Sequence, residues 1–301
     1  MKKIQLFVIV ALSCLAATTL LLLKKDQNYY QTQDFAYNEK LAENLSGFSL
    51  ASYCSASKII NWNCGAPCQK NPKGIKDAYY MLNTTMDSAG FMGYSPAHDA
   101  IIIAFRGTIP WSKKNWISDI NTIKIKYPRC DNCYVHQGFY KAFLGLQTQI
   151  IAEFPKLKAK YPNSKVFVTG HSLGAAMSTH SMPVIYQLNG NKPIDAFYNF
   201  GSPRVGDQTF HDWFSKQNFS KEYGRINHRA DPVPHLPPKS SPFNFIHIDH
   251  EIFYHSFSSP YLLCAQSEDP DCADGVPIPI DIPDHFSYFG YDWVAEMFTC
   301  Q

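Results

Sequence analysis

A serine between glycines, Gly170-His171-Ser172-Leu173-Gly174, is the part of this 301-residue chain best suited to nucleophilic chemistry. The pentapeptide alone carries little weight. With glycine and serine at about 7% each, such a pattern arises by chance in roughly one chain in ten of this length. Its setting carries more. Lys165-Val166-Phe167-Val168-Thr169 reads as a buried strand, and Ala175-Ala176-Met177-Ser178 as the start of a helix. A strand that turns sharply into a helix through this motif exposes the serine hydroxyl on a strained backbone. Small flanking residues then let the helix pack close to the strand.

A serine hydroxyl attacks poorly until a base takes its proton and a carboxylate orients that base. When the serine occupies such a turn, the acid follows it in the chain and the base comes last. Asp231 fits the acid, because it falls just after the strand Tyr223 to Asn227 and before Pro232. A simple Asp-Pro turn is the competing reading. Asp207 and Asp212 lie in or beside a helix, and Asp249 in a strand with alternating neighbours, on its solvent face. Four histidines follow Asp231. His247, His250 and His255 lie in or beside a strand. His285 follows Val276-Pro277-Ile278-Pro279-Ile280-Asp281-Ile282-Pro283, whose prolines exclude a helix or a central strand. His285, on a loop near the C-terminus, is therefore the expected base, with His255 second. An oxyanion would take the N–H of Leu173 and a donor from the turn Phe105-Arg106-Gly107-Thr108, where Thr108 adds its hydroxyl. Thr108 as a plain turn residue is the alternative. One such donor is worth about 3–4 kcal/mol in the transition state.

These residues need a scaffold. Helical periodicity runs over 35–53, 139–160, 172–188, 207–216 and 291–298. Strands are expected at 79–82, 100–105, 165–169, 194–200, 223–227 and 246–254. The unbroken apolar run 100–105 suits a strand covered on both faces. Strands alternating with helices predict an α/β fold with a mostly parallel sheet.

With 45% hydrophobic residues, 17% charged and a net charge of +2, the chain can build a large core and gives no reason to expect nucleic acid. Lys2-Lys3 followed by an apolar run over 4–23 resembles a signal peptide, with an uncleaved membrane anchor as the alternative. A short N-terminal segment, 24–36, then leads to a single domain over 37–301. Apart from Cys14 there are eight cysteines, which allow over a hundred pairings. Local closeness favours Cys64–Cys68, Cys130–Cys133 and Cys264–Cys272, leaving Cys54 and Cys300 to tie the ends together. Cys64/Cys68 and Cys130/Cys133 are also spaced like two arms of a zinc site, which is the less favoured reading. Sequons at Asn44, Asn83 and Asn218 fit an exported glycoprotein.

Several stretches together resemble the fungal-type triacylglycerol lipases, the class 3 lipase family of α/β-hydrolases. They are Phe105-Arg106-Gly107-Thr108, Asn115-Trp116-Ile117-Ser118-Asp119, His136-Gln137-Gly138-Phe139, Gly170 to Gly174, Phe200-Gly201-Ser202-Pro203-Arg204-Val205-Gly206, Asp231-Pro232-Val233-Pro234 and Asp284-His285. The resemblance runs from about Tyr37 to Cys300. It implies an α/β-hydrolase fold, with helices on both faces of the sheet. It also implies Ser172 as nucleophile, Asp231 as acid, His285 as base, and Thr108 with Leu173 as oxyanion hole. The cysteine pairing above resembles the bridges of secreted members. The resemblance further implies a lid near 109–122, in which Trp111, Trp116, Ile117 and Ile120 would meet lipid; a static helix is the alternative. The expected activity is a secreted serine carboxylester hydrolase acting on glycerides at a lipid–water interface, as a monomer, without metal or organic cofactor. Phospholipase A1 and feruloyl esterase activities are the alternatives on the same fold, and a catalytically dead lipid-binding relative is the rival outside enzymes.

Overall fold

The computed structural model describes residues 36–109 and 122–300. The expected leader, its membrane-anchor alternative and the lid residues Trp111, Trp116, Ile117 and Ile120 lie outside the described residues.

Strands β1 (Lys76–Asn83), β2 (Ser88–Ser95) and β3 (Ala100–Phe105) are followed by the small ribbon β4 (Lys124–Lys126) and β5 (Tyr134–His136). Then come β6 (Lys165–His171), β7 (Ile194–Phe200), β8 (Ser220–His228), β9 (Glu251–Tyr254) and β10 (Leu262–Leu263). The main sheet has the order β1-β2-β3-β6-β7-β8-β9-β10. β3, β6, β7, β8 and β9 run parallel, and antiparallel partners close both edges. The longer helices are α1 (Glu39–Ala51), α2 (Gln137–Lys160), α3 (Leu173–Leu188), α4 (Gln208–Ser215) and α5 (Trp293–Thr299).

Side-chain alternation in β3 explains why it must be covered twice. Ile101, Ile103 and Phe105 join α2, α3 and α4 in one buried layer. Ala100, Ile102 and Ala104 join α1, α5 and the C-terminal segment in the other. Burying one isoleucine side chain contributes roughly 1.5–3 kcal/mol, so this single strand binds both helical layers strongly.

Departures from the sequence expectation fall in the main sheet and in the C-terminal segment. β2 was not foreseen, since its two glycines and two serines hide any period-two pattern; pairing on both sides buries it instead. Only Glu251–Tyr254 of the expected strand 246–254 forms, and Ile246 makes a single bridge to Gly206. The last helix begins at Trp293 because Tyr291–Asp292 pairs with Ser287–Tyr288. Ile282–His285 forms a short helical turn where a loop was expected. Pro283 is tolerated there because it lies in the first turn, where its missing N–H would have no partner.

Disulfides join Cys54–Cys300, Cys64–Cys68, Cys130–Cys133 and Cys264–Cys272, so these sulfurs offer no thiolates to a zinc ion. Cys54–Cys300 ties the end of α1 to the end of α5 across 246 residues. Closing so long a loop stabilises by about 5.5 kcal/mol in the chain-entropy model.

One buried polar group stands apart from this apolar plan. His180, on α3, packs among the rings of Tyr127, Tyr140, Phe143 and Phe210. Neither of its ring nitrogens has a hydrogen-bond partner among the described residues. Burial, then the neighbouring His136, lowers its pKa from 6.5 to about 3. The unfolded chain therefore takes up a proton near pH 6.5 that the folded chain refuses, and stability falls as the pH drops from there toward 3. His180→Leu should remove this loss. In urea unfolding, the variant should gain about 2 kcal/mol more over the parent at pH 5 than at pH 8. An equal effect at both values would show that His180 does not drive acid lability.

Candidate active site

β6 delivers Ser172 to the carboxyl edge of the parallel strands. The serine has φ 59° and ψ −127°, a conformation costly for any residue with a Cβ, and α3 begins at the next residue. Two glycines make the turn possible by their size. A Cβ on Gly170 would overlap the carbonyl of Gly174, and one on Gly174 would overlap the carbonyl of Phe105. The Ser172 N–H is held by the Phe200 carbonyl at 3.0 Å. Ser172 is buried, and its Oγ makes no hydrogen bond with a described residue.

Asp231 arrives from the loop after β8, and every group around its carboxylate donates. His285 Nδ1 lies 2.9 Å from both oxygens. The Val233 N–H donates to Oδ1 at 2.8 Å, and Tyr288 Oη donates to Oδ2 at 2.7 Å. The carboxylate fixes Nδ1 as the protonated nitrogen of a neutral His285, leaving Nε2 as the basic one. Burial, then the charge of Asp231, pushes the Tyr288 phenol well above its ordinary pKa, so it stays a donor.

Further residues hold the two loops in place. Arg204, buried beyond Phe200-Gly201-Ser202-Pro203, donates to the His235 carbonyl at 2.6 Å and the Pro237 carbonyl at 3.1 Å, and pairs with Glu268 at 2.8 Å. His247 Nε2 donates to the Pro234 carbonyl at 2.7 Å. Both clamp the segment that follows Asp231. Asp284 Oδ2 accepts the Ala230 N–H at 3.0 Å, which joins the histidine loop to the aspartate loop.

The oxyanion candidates face the same edge. Phe105 of β3 is in register with Gly170, and a Cβ on Gly107 would stand 3.0 Å from Ser172 Cβ. Arg106 anchors this turn to Asp87 through the carboxylate at 2.7 Å and the carbonyl at 2.8 Å. Thr108 is half-buried beside it. Leu173 opens a sixteen-residue helix whose N-terminal dipole favours negative charge at this point.

The structure thus brings Ser172, Asp231, His285, Leu173 and the turn Gly107-Thr108 to one edge and leaves the other acid and base candidates away from it. Asp207 caps α4 through the Phe210 N–H at 2.9 Å, and Asp212 lies within that helix. Asp249 precedes β9 and sits 3.5 Å from His211. His250 stacks on Tyr223, and His255 is exposed beside Phe253. Of the sequons, only Asn218 is exposed. Asn83 is half-buried with its amide donating to the Gly145 carbonyl at 3.1 Å, and Asn44 is half-buried within α1. Tyr288 and Arg204 were not anticipated as site residues, although Arg204 lies in a quoted motif. A buried tyrosine three residues after the histidine was the signal for Tyr288.

The described groups can activate a hydroxyl and hold an oxyanion, the chemistry of acyl transfer. Comparison with known proteins agrees. The family model of lipase (class 3) matches residues 102–241. A lipase from Rhizomucor miehei is 32% identical over 249 residues, covering 80% of this chain and 66% of that protein. The secreted mono- and diacylglycerol lipase A of Penicillium cyclopium is 30% identical over 260 residues, covering 80% of this chain and 81% of that protein. The solved triacylglyceride lipase of Rhizomucor miehei superposes with a TM-score of 0.75 at 28% identity, over 87% of this chain and 98% of that one.

Gly201 offers a test of how tightly the acid–base pair is seated. Its φ is +53°, and a Cβ there would stand 2.8 Å from Asp231 Oδ2 and 2.9 Å from His285 Nδ1. Gly201→Ala should slow labelling of Ser172 by a fluorophosphonate at least about tenfold, the effect of roughly 1–3 kcal/mol of overpacking. Far-ultraviolet circular dichroism should stay unchanged. Undiminished labelling would show that the pair tolerates displacement.

Proposed function

Because the chain belongs to the class 3 lipase family, carboxylic ester hydrolases of the α/β-hydrolase fold, we propose that it hydrolyses glyceride esters through Ser172, His285 and Asp231. Ser172 Oγ attacks the ester carbonyl while His285 Nε2 takes its proton. Asp231 accepts a hydrogen bond from Nδ1–H and steadies the imidazolium. The Leu173 N–H and Thr108 hold the oxyanion. Collapse releases the alcohol with the proton from His285 and leaves an acyl-Ser172. Water, activated by the same histidine, then frees the fatty acid and restores the serine.

The observation that carries this reading is the seating of His285 Nδ1 at 2.9 Å from both oxygens of a buried carboxylate whose remaining partners only donate. That arrangement leaves the opposite ring nitrogen as the base. Glycerides are favoured because two similar proteins, each aligned over most of this chain, are named as a mono- and diacylglycerol lipase and a triacylglyceride lipase. Four disulfides and a relative named as secreted support action outside the cytosol, with residues 1–23 as the exporting leader. The acid–base pair and the serine turn are complete within one chain, so the proposed chemistry needs no residue from a second copy.

Ser172→Ala should lower kcat/KM on a soluble ester at least about a thousandfold, as loss of a triad nucleophile does. Retained turnover would overturn the assignment. A panel of emulsified triglyceride, phosphatidylcholine and a feruloyl ester decides the substrate. The glyceride should be turned over fastest, and a tenfold preference for either of the others would replace it.

A further inference from the structure

His171, the residue before the serine, has both ring nitrogens engaged in one buried line of hydrogen bonds. Its Nε2 lies 2.7 Å from the backbone carbonyl of His285. A carbonyl only accepts, so Nε2 carries the hydrogen. In the neutral ring Nδ1 is then the acceptor, and Tyr53 Oη donates to it at 2.7 Å. The same tyrosine oxygen accepts the N–H of Gly107, and it lies so close that a Cβ at 107 would overlap it. The line therefore has one direction: Gly107 N–H to Tyr53 O–H, to His171 Nδ1, and from His171 Nε2–H to the His285 carbonyl. Aligned bonds of this kind strengthen one another where water is excluded.

The two ends of this line are the functional point. Gly107 precedes Thr108 on the turn proposed to hold the oxyanion, and the carbonyl at the other end belongs to the proposed base. We propose that His171, set by Tyr53, is a positioning residue that holds the oxyanion turn and the main chain of His285 in register with Ser172. This inference rests on the roles of Ser172, His285 and Thr108 given above. The packing supports it. The His171 ring is fully buried between the rings of His285 and Trp293, each with its centroid 4.4 Å away. A ring that close to His285 must stay neutral while His285 becomes imidazolium. Burial, then the charge on His285, holds His171 well below the ordinary imidazole range, against the opposing effect of its bond to the His285 carbonyl. Tyr53 is also buried and needs an acceptor, which His171 Nδ1 supplies.

The test is a double-mutant cycle on p-nitrophenyl butyrate, a soluble ester, in the full chain. Tyr53→Phe removes one oxygen, and His171→Phe keeps a ring between His285 and Trp293. Each should lower kcat by about tenfold or more with KM within about twofold, because the groups they align act on the transition state. The double variant should be no slower than the worse single one, since both break the same line. His171→Gln, which can still donate to the carbonyl, should recover at least about threefold of the kcat lost in His171→Phe. In nitrogen-15 spectra of the parent, His171 should carry its hydrogen on Nε2. Losses that multiply in the double variant, a loss confined to KM, a kcat within twofold of the parent, or a hydrogen on Nδ1 would each overturn the proposal. Should His171→Phe fail to fold, the Tyr53→Phe kinetics and the parent's tautomer still decide it. Ser172→Ala separates the two levels. If it keeps turnover the functional reading fails, and if it alone abolishes turnover only the His171 line fails.

Discussion

Everything at the candidate site depends on how closely the chain can pass itself where β6 turns into α3. The carbonyls of Phe105 and Gly174 occupy the volume where Cβ atoms at 174 and 170 would stand. With those atoms present the helix would lie further from the sheet, and Ser172 could not be held at φ 59° with its N–H on the Phe200 carbonyl. The strain is local and sustained by the surroundings. β3 and β7 pair on both sides of β6, and both faces of the sheet are covered by helices. A conformation that costs of order 1–3 kcal/mol persists because moving it would disturb two packed layers.

Around this turn the polar groups follow one electrostatic rule. The buried Asp231 carboxylate meets donors, and the buried guanidinium groups of Arg204 and Arg225 lie on carbonyls and carboxylates away from the serine. Asp231 takes three donors, none of them a permanent cation. Arg204 and Arg225 instead brace the loops behind it, through Glu268 and Glu251 respectively. A permanent positive charge against Asp231 would weaken its hold on an imidazolium. Tyrosine and backbone donors orient the carboxylate without competing for its charge.

Much of this was legible before the structure because it is local in the chain. The glycines around Ser172, the apolar runs of β3 and β6, and the proline-rich approach to His285 each announce a conformation within a few residues. The resemblance to class 3 lipases added the order of the parts. What escaped notice was long-range or patternless. β2 has no alternation to read, since pairing on both flanks buries it whatever its side chains. Tyr53 lies 118 residues from His171, and Tyr288 lies 57 from Asp231, so no local spacing links either pair. His247 read as an unremarkable strand histidine, and only the folded loop makes it a clamp on Pro234.

By itself the sequence determined which residue types were at hand: a serine on a glycine-flanked turn, an acid and a base that follow it in order, and strands apolar enough to be buried on both faces. Those features depend on backbone sterics and hydrophobic periodicity, which act over a few residues. Tertiary structure decided which carboxylate meets which imidazole, where Nδ1 places its hydrogen, which sequon faces solvent and what His171 holds. Those are matters of hydrogen-bond geometry between segments tens to hundreds of residues apart. They are settled only when the sheet brings its carboxyl ends to a single edge and excludes the water that would otherwise satisfy each group separately.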